Sequence, residues 1–210
     1  MMQPMYDLKI LDDWIFYYKN CLTEPYKYIN FLEELDNNKE SYSNIEKWKD
    51  WISKNNSEIL YGKKKNIKKF LKTNNEKIDR KVLYISNSIT SAIYMCAKNY
   101  FFHFPQDKFT FEIDSNFFIN KYFTNIITGP RAGNSTNEKD YTFTALINLN
   151  DDYQNGEINF LNQKIKIKPE ASSILIFPSN SSYIYESEPV IEKEKYMAVG
   201  KFYVKPLIEV

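Results

Sequence analysis

The chemistry open to this chain is bounded by a single imidazole, because His103 is the only histidine in 210 residues. A metal centre resting on two imidazoles cannot be assembled within one such chain. His103 stands in Phe101-Phe102-His103-Phe104-Pro105, a setting that predicts a packed, hydrogen-bonded ring rather than a ligand, since ligation needs convergent partners. The cations say more. Of 28 basic residues only Arg80 and Arg131 are arginine, so Arg131, in Gly129-Pro130-Arg131-Ala132-Gly133, places a planar guanidinium where lysine is the compositional default. Cys21 and Cys96 lie 75 positions apart and are expected to be reduced, intracellular thiols rather than a disulfide.

Short strands must position these groups. Residues 142–149 alternate around an apolar set, and Asn155-Gly156 supplies the positive φ of a tight hairpin from which 157–160 return. Residues 164–168 alternate strictly. Ser173-Ile174-Leu175-Ile176-Phe177 is a continuous apolar run stopped by Pro178, the pattern of a strand covered on both faces. Residues 183–190 and 196–204 complete the set. Upstream, 8–11 and 14–18 read as one or two strands, and 109–113 and 117–123 as two more.

Helical periodicity is confined to the first half of the chain. Thr23 as N-cap and Pro25 in the first turn open a helix to Asp36 with Tyr28, Ile29, Leu32 and Leu35 on one face. A longer helix is expected from Asp79, as N-cap, to about Tyr100, with Val82, Ile85, Ile89, Ala92, Ile93, Cys96 and Tyr100 in one stripe. Between them, 37–75 is polar and lysine-rich. Trp48 and Trp51 are spaced as on one side of a helical turn. Lys63-Lys64-Lys65 and Lys68-Lys69 read as a solvated face, and 134–140 as a polar loop.

Leu149-Asn150-Asp151-Asp152-Tyr153, then Gly156-Glu157, then Ile165-Lys166-Ile167-Lys168-Pro169-Glu170-Ala171, then Leu175-Ile176-Phe177-Pro178-Ser179 follow one another in an order that carries a resemblance. The chain resembles the Fe(II)- and 2-oxoglutarate-dependent oxygenases of the prolyl-4-hydroxylase type, particularly those of bacteriophages. The resemblance is strongest over 117–202. It implies a mainly β fold with flanking helices, a double-stranded β-helix (a jelly-roll, cupin-like barrel). One domain, 1–210, is expected, with 1–108 as helical and strand support and 109–204 as the jelly-roll core.

The resemblance also implies iron held by His-x-Asp and a distal histidine, and here the chain departs from the family. Arg131 and Gly133 stand at the first two ligand positions and Tyr185 at the third, within Tyr183-Ile184-Tyr185-Glu186-Ser187-Glu188-Pro189-Val190. Tyr122 matches a tyrosine that relatives place on the cosubstrate, and Lys195 the basic residue that anchors 2-oxoglutarate. A guanidinium has no lone pair to offer and repels a divalent ion. The expectation is a pseudoenzyme with no catalytic residues and no metal, in which Arg131 pairs with Glu186 or Glu188 and fills the cavity. Two alternatives remain open: a metal-free small-anion or 2-oxoglutarate binder using Tyr122, Lys195 and Arg131, and an active hydroxylase with substitute ligands from Asp151, Asp152, Glu186 or a partner chain.

With 28 basic against 27 acidic residues, no strong field favours nucleic acid or an anionic membrane. Aromatic residues make up 17% of the chain, and tyrosine and tryptophan dominate interface hot spots, so a protein partner or self-assembly is expected, for example in a phage virion. The N-terminus lacks the basic start and apolar run of a signal peptide, which predicts a soluble protein of the cytoplasm, of a host cytoplasm, or of a virion.

Overall fold

A computed structural model describes residues 6–37, 49–51, 57–62, 76–104, 109–113, 117–125, 128–133 and 141–206. Its organising strand is β11 (Ile174–Pro178), buried at every position. Because strand side chains alternate, Ile174 and Ile176 enter one hydrophobic core while Leu175 and Phe177 enter another. An unbroken apolar run is the pattern such a two-sided strand requires. Two strands of the same sheet divide their residues likewise: in β2 (Ile15–Lys19), Phe16 and Tyr18 go to the first core and Ile15 and Tyr17 to the second; in β7 (Phe143–Asn148), Phe143, Ala145 and Ile147 oppose Leu146.

The larger sheet also contains β1 (Asp7–Asp12), β3 (Lys49–Trp51), β4 (Ser57–Gly62), β5 (Phe109–Ile113), β6 (Phe117–Tyr122) and β14 (Lys195–Pro206). Its order among the described residues is β1-β2-β11-β7-β14-β6-β4-β3, with β5 also paired to β14. Facing it across the second core, β9 (Ile158–Phe160) lies between β10 (Ile165–Ile167) and β12 (Tyr185–Ser187). A two-stranded ladder of β8 (Gln154–Asn155) and β13 (Val190–Ile191) stands beside them. Phe160 meets Phe177 edge-on, with ring centroids 4.9 Å apart, which closes the two sheets on each other as the expected jelly roll.

The first core lies outside the barrel, under two helices. α1 (Pro25–Asn37) contributes Tyr28, Ile29, Phe31 and Leu32, and α2 (Glu76–Phe102) contributes Ile85, Ile89, Ile93, Cys96, Ala97 and Tyr100. α2 starts three residues before Asp79, since Glu76-Lys77-Ile78 carry no helix breaker and the helix propagates through them. At α1, Glu24 rather than Thr23 immediately precedes Pro25, with φ of 51° and its carbonyl accepting the Lys27 N–H at 2.9 Å.

Other expectations are corrected by pairing. Asn155 and Gly156 do turn with positive φ, 56° and 71°, but the turn joins no hairpin of β7 with β9. β7 is hydrogen-bonded to β11 on one side and β14 on the other, so no edge is left for β9, and Asn155 pairs with Val190 instead. Trp51 lies in a strand rather than a helical turn, because β4 extends the edge of β6 and β3 follows it. His103 is exposed; its Nδ1 lies 2.9 Å from the Asn99 carbonyl and its ring meets Phe16 edge-on at 5.1 Å. Trp48, the lysine runs at 63–65 and 68–69, and the loop 134–140 lie outside the described residues.

Candidate functional site

Arg131 and Tyr185 face each other across a narrow antiparallel bridge, each N–H donating to the other's carbonyl at 2.9 Å. Residues opposed in this way project to the same side. The Arg131 guanidinium carbon lies 5.5 Å from the Tyr185 ring centroid, a cation–π contact. Tyr185 is buried, edge-on to Phe177 at 5.1 Å, and burial raises its phenol pKa against the lowering effect of Arg131. Arg131 Nη2 donates to the Tyr122 hydroxyl at 3.2 Å. Burial works against the guanidinium charge, but the Tyr122 and Tyr185 hydroxyls outweigh it and its pKa is raised.

Tyr122 is the register partner of Lys195, at the junction of β6 and β14. Lys195 has no exposed surface. Its ammonium donates to the Gly156 carbonyl at 2.7 Å and to Ser187 Oγ at 3.1 Å, and lies 5.7 and 5.6 Å from the rings of Tyr122 and Tyr153. Its pKa is lowered to about 7, by burial first and then by the Arg131 charge, with Glu157 opposing and Lys168 adding to the depression. The interior therefore sets the Lys195 amine and the Arg131 guanidinium on either side of Tyr122, and the Glu157 carboxylate favours the charged form of Lys195; Glu157 Oε2 is itself buried without a hydrogen bond among the described residues.

Gly133 packs against the larger sheet, beside Thr144 of β7 and Ser179 just after β11. A Cβ placed there would come within 2.2 Å of Thr144 Oγ1 and 2.8 Å of the Ser179 Cα, while the Thr144 and Ser179 hydroxyls are 2.7 Å apart in a hydrogen bond. The volume a carboxylate side chain would need is occupied by this pair and by backbone. Guanidinium, glycine and phenol do not fit a ferrous ion, for which imidazole and carboxylate are the suitable donors. The substitute ligands do not converge. Asp151 accepts from the Tyr26 hydroxyl at 2.6 Å and the Ala171 N–H at 3.0 Å, Asp152 pairs with Lys193 at 2.8 Å, and Glu186 accepts from Asn159 at 3.2 Å. Among the described residues no group of three or more His, Cys, Asp or Glu could hold a metal ion.

The expected pairing of Arg131 with Glu186 or Glu188 needs revision. Glu188 forms a salt bridge with Lys166 at 2.6 Å and Glu186 faces Asn159 on the outward side of the smaller sheet, while the guanidinium contacts Tyr122 and Tyr185 among the described residues. Sequence reasoning missed three contributors. Gly156, read as a turn residue and within the motif order, supplies the carbonyl that receives Lys195. Ser187, which no spacing signal marks, and Tyr153, legible only as part of the Leu149–Tyr153 motif, complete the cage. The Leu149–Tyr153 motif itself is structural: Asn150 Oδ1 accepts the Tyr196 N–H at 2.8 Å, its Nδ2 donates to the Glu194 carbonyl at 2.8 Å, and the Tyr153 hydroxyl donates to Asn148 Oδ1 at 3.2 Å.

No protein-family model matches the chain, and no curated protein matches it in sequence. Solved structures do. A prolyl hydroxylase from Trichoplax adhaerens, in complex with a hypoxia-inducible-factor peptide fragment, is similar with a TM-score of 0.60 and 15% identity, over 91% of this chain and 84% of that one. A Phytophthora capsici prolyl 4-hydroxylase gives 0.57 and 12%, over 91% of this chain but only 59% of that one. The viral collagen prolyl hydroxylase of Paramecium bursaria Chlorella virus-1, as a truncated form, gives 0.56 and 12%, over 94% and 91%. At such identities the likeness speaks for the fold alone: the chain is folded like these prolyl hydroxylases.

Proposed function

We propose that the chain is a catalytically inactive member of this fold that serves as an interaction or structural module. One observation carries the reading: the two places that face each other across the barrel wall hold Arg131 and Tyr185, stacked and tied to Tyr122, so the mouth contains a fixed internal cation. A guanidinium needs no exchangeable ligand, and it repels a second cation. Exposed aromatic side chains, including Phe102 at 87% and Trp14 at 37% exposure, offer contact surface for a partner. In a phage particle such a module would be a virion component, detectable as peptides in purified particles.

The test measures iron and 2-oxoglutarate turnover together. Protein reconstituted anaerobically with ferrous salt should bind no stoichiometric iron and, when then exposed to oxygen with 2-oxoglutarate, should release no succinate. Stoichiometric iron together with succinate release would sink the proposal. A second reading, a small-anion site, is favoured by Lys195 and Arg131 sharing Tyr122. Its mark is a thermal shift with 2-oxoglutarate or phosphate that is independent of iron and lost in Lys195→Met, because a ligand bound only by the folded state raises its stability.

A further inference from the structure

The chain's two cysteines meet behind the larger sheet, away from the site described above. Cys21, in the link between β2 and α1, is half-buried; Cys96, within α2, is 1% exposed. Separated by 75 positions in sequence, their sulfurs are 3.7 Å apart. Cys21 Sγ also donates to the Lys19 carbonyl at 3.6 Å, which leaves its sulfur facing the Cys96 thiol as an acceptor. The backbone at Cys21 is fixed: its N–H donates to the Ser172 carbonyl at 2.9 Å, and the Leu22 N–H and carbonyl both engage Ser172 Oγ, at 2.6 and 2.7 Å. The contact with Cys21, and then burial, push the Cys96 thiol up, so the more accessible Cys21 is the sulfur an oxidant meets first.

We propose that Cys21 and Cys96 form a reversible intramolecular disulfide, a redox modification site that ties the β2–α1 link to α2. With a small disulfide such as oxidised glutathione as oxidant, the Cys21 thiolate attacks one of its sulfurs and releases one glutathione thiol. Cys96 then loses its proton and attacks the Cys21 sulfur of the mixed disulfide, releasing the second. Two protein thiols are oxidised to one S–S bond, and one small disulfide is reduced to two thiols. The sulfurs must close from 3.7 Å to about 2.05 Å for the bond to form.

Full-length protein equilibrated in glutathione buffers of graded oxidised-to-reduced ratio should lose both alkylatable thiols together, remain monomeric on non-reducing gels, and yield a proteolytic peptide pair linking Cys21 to Cys96. Its melting temperature should rise by a few degrees, because the crosslink restricts the unfolded chain. Cys96→Ser should instead accumulate a glutathione adduct on Cys21, and Cys21→Ser should keep its buried thiol unmodified while folded. The proposal is overturned if native protein retains two free thiols under a ratio that oxidises the urea-unfolded chain. It fails equally if oxidation stops at a glutathione adduct on Cys21, or yields crosslinked dimers in place of the internal bond.

Discussion

Lys195 carries the sharpest residue-scale prediction. In the unfolded chain this ammonium keeps its proton up to the ordinary lysine value of 10.5, whereas in the folded chain it releases it at about 7. Below pH 7 the amine is charged in both states and the cost of burying it is fully present. Above 7, unfolding takes up a proton, so stability rises with pH. The urea midpoint should therefore climb between pH 7 and about 8.5, before buried thiols and tyrosines reverse the trend, and Lys195→Met should flatten that climb. Arg131→Ala removes the contact with the Tyr185 ring and the bond to Tyr122, and should cost about 2 kcal/mol in denaturant melts. Arg131→Lys restores charge but not the planar stack, so little of that loss should return. Gly133→Asp should destabilise by about 3 kcal/mol, because its Cβ meets Ser179 backbone. For the same reason a variant that writes His and Asp back at 131 and 133 should lose stability before it gains metal.

The decisive element is the corner at Asn155-Gly156, which carries the chain from the larger sheet to the smaller one. Gly156 has a φ of 71°, a Cβ there would meet Val190 Cγ1 at 2.6 Å and the Tyr153 ring at 2.7 Å, and its carbonyl receives Lys195. Gly156→Ala thus strains the backbone and shifts the acceptor at once. Expected are a loss of about 1–3 kcal/mol and a change in the pH dependence assigned to Lys195; unaltered pH dependence would separate the corner from the lysine. β14 works as the second such element. It pairs with β5, β6 and β7 and thereby sets Lys195 opposite Tyr122.

At the scale of the whole molecule, the two cores are coupled through shared strands. Because β2, β7 and β11 each feed both, neither core can be lost while the other keeps its walls. Far-ultraviolet circular dichroism and tyrosine fluorescence should trace one coincident unfolding transition, and separated midpoints would show that the helices detach first. Ile176→Ala, in β11, one of the strands common to both, should cost about 3–4 kcal/mol and move both signals together. No helix among the described residues is long and apolar enough to cross a membrane.

Local pattern determined much of this protein. The alternation in 142–149 and the apolar run at 174–177 specify strands because the side-chain period of a strand is two, and the stripe from Ile85 to Tyr100 specifies a helix because its period is near four. The single histidine by itself bounds the metal chemistry. Pairing could not be read in the same way. Asn155-Gly156 announces a turn, yet which strand lies beside which depends on the edges already taken by β11 and β14. Nor did spacing show that Arg131 would lie against Tyr185 and Tyr122 rather than a glutamate, or that Lys195 would reach Gly156 and Ser187. Those contacts join residues 8 to 54 positions apart, and only the closing of one sheet over the other brings them within reach.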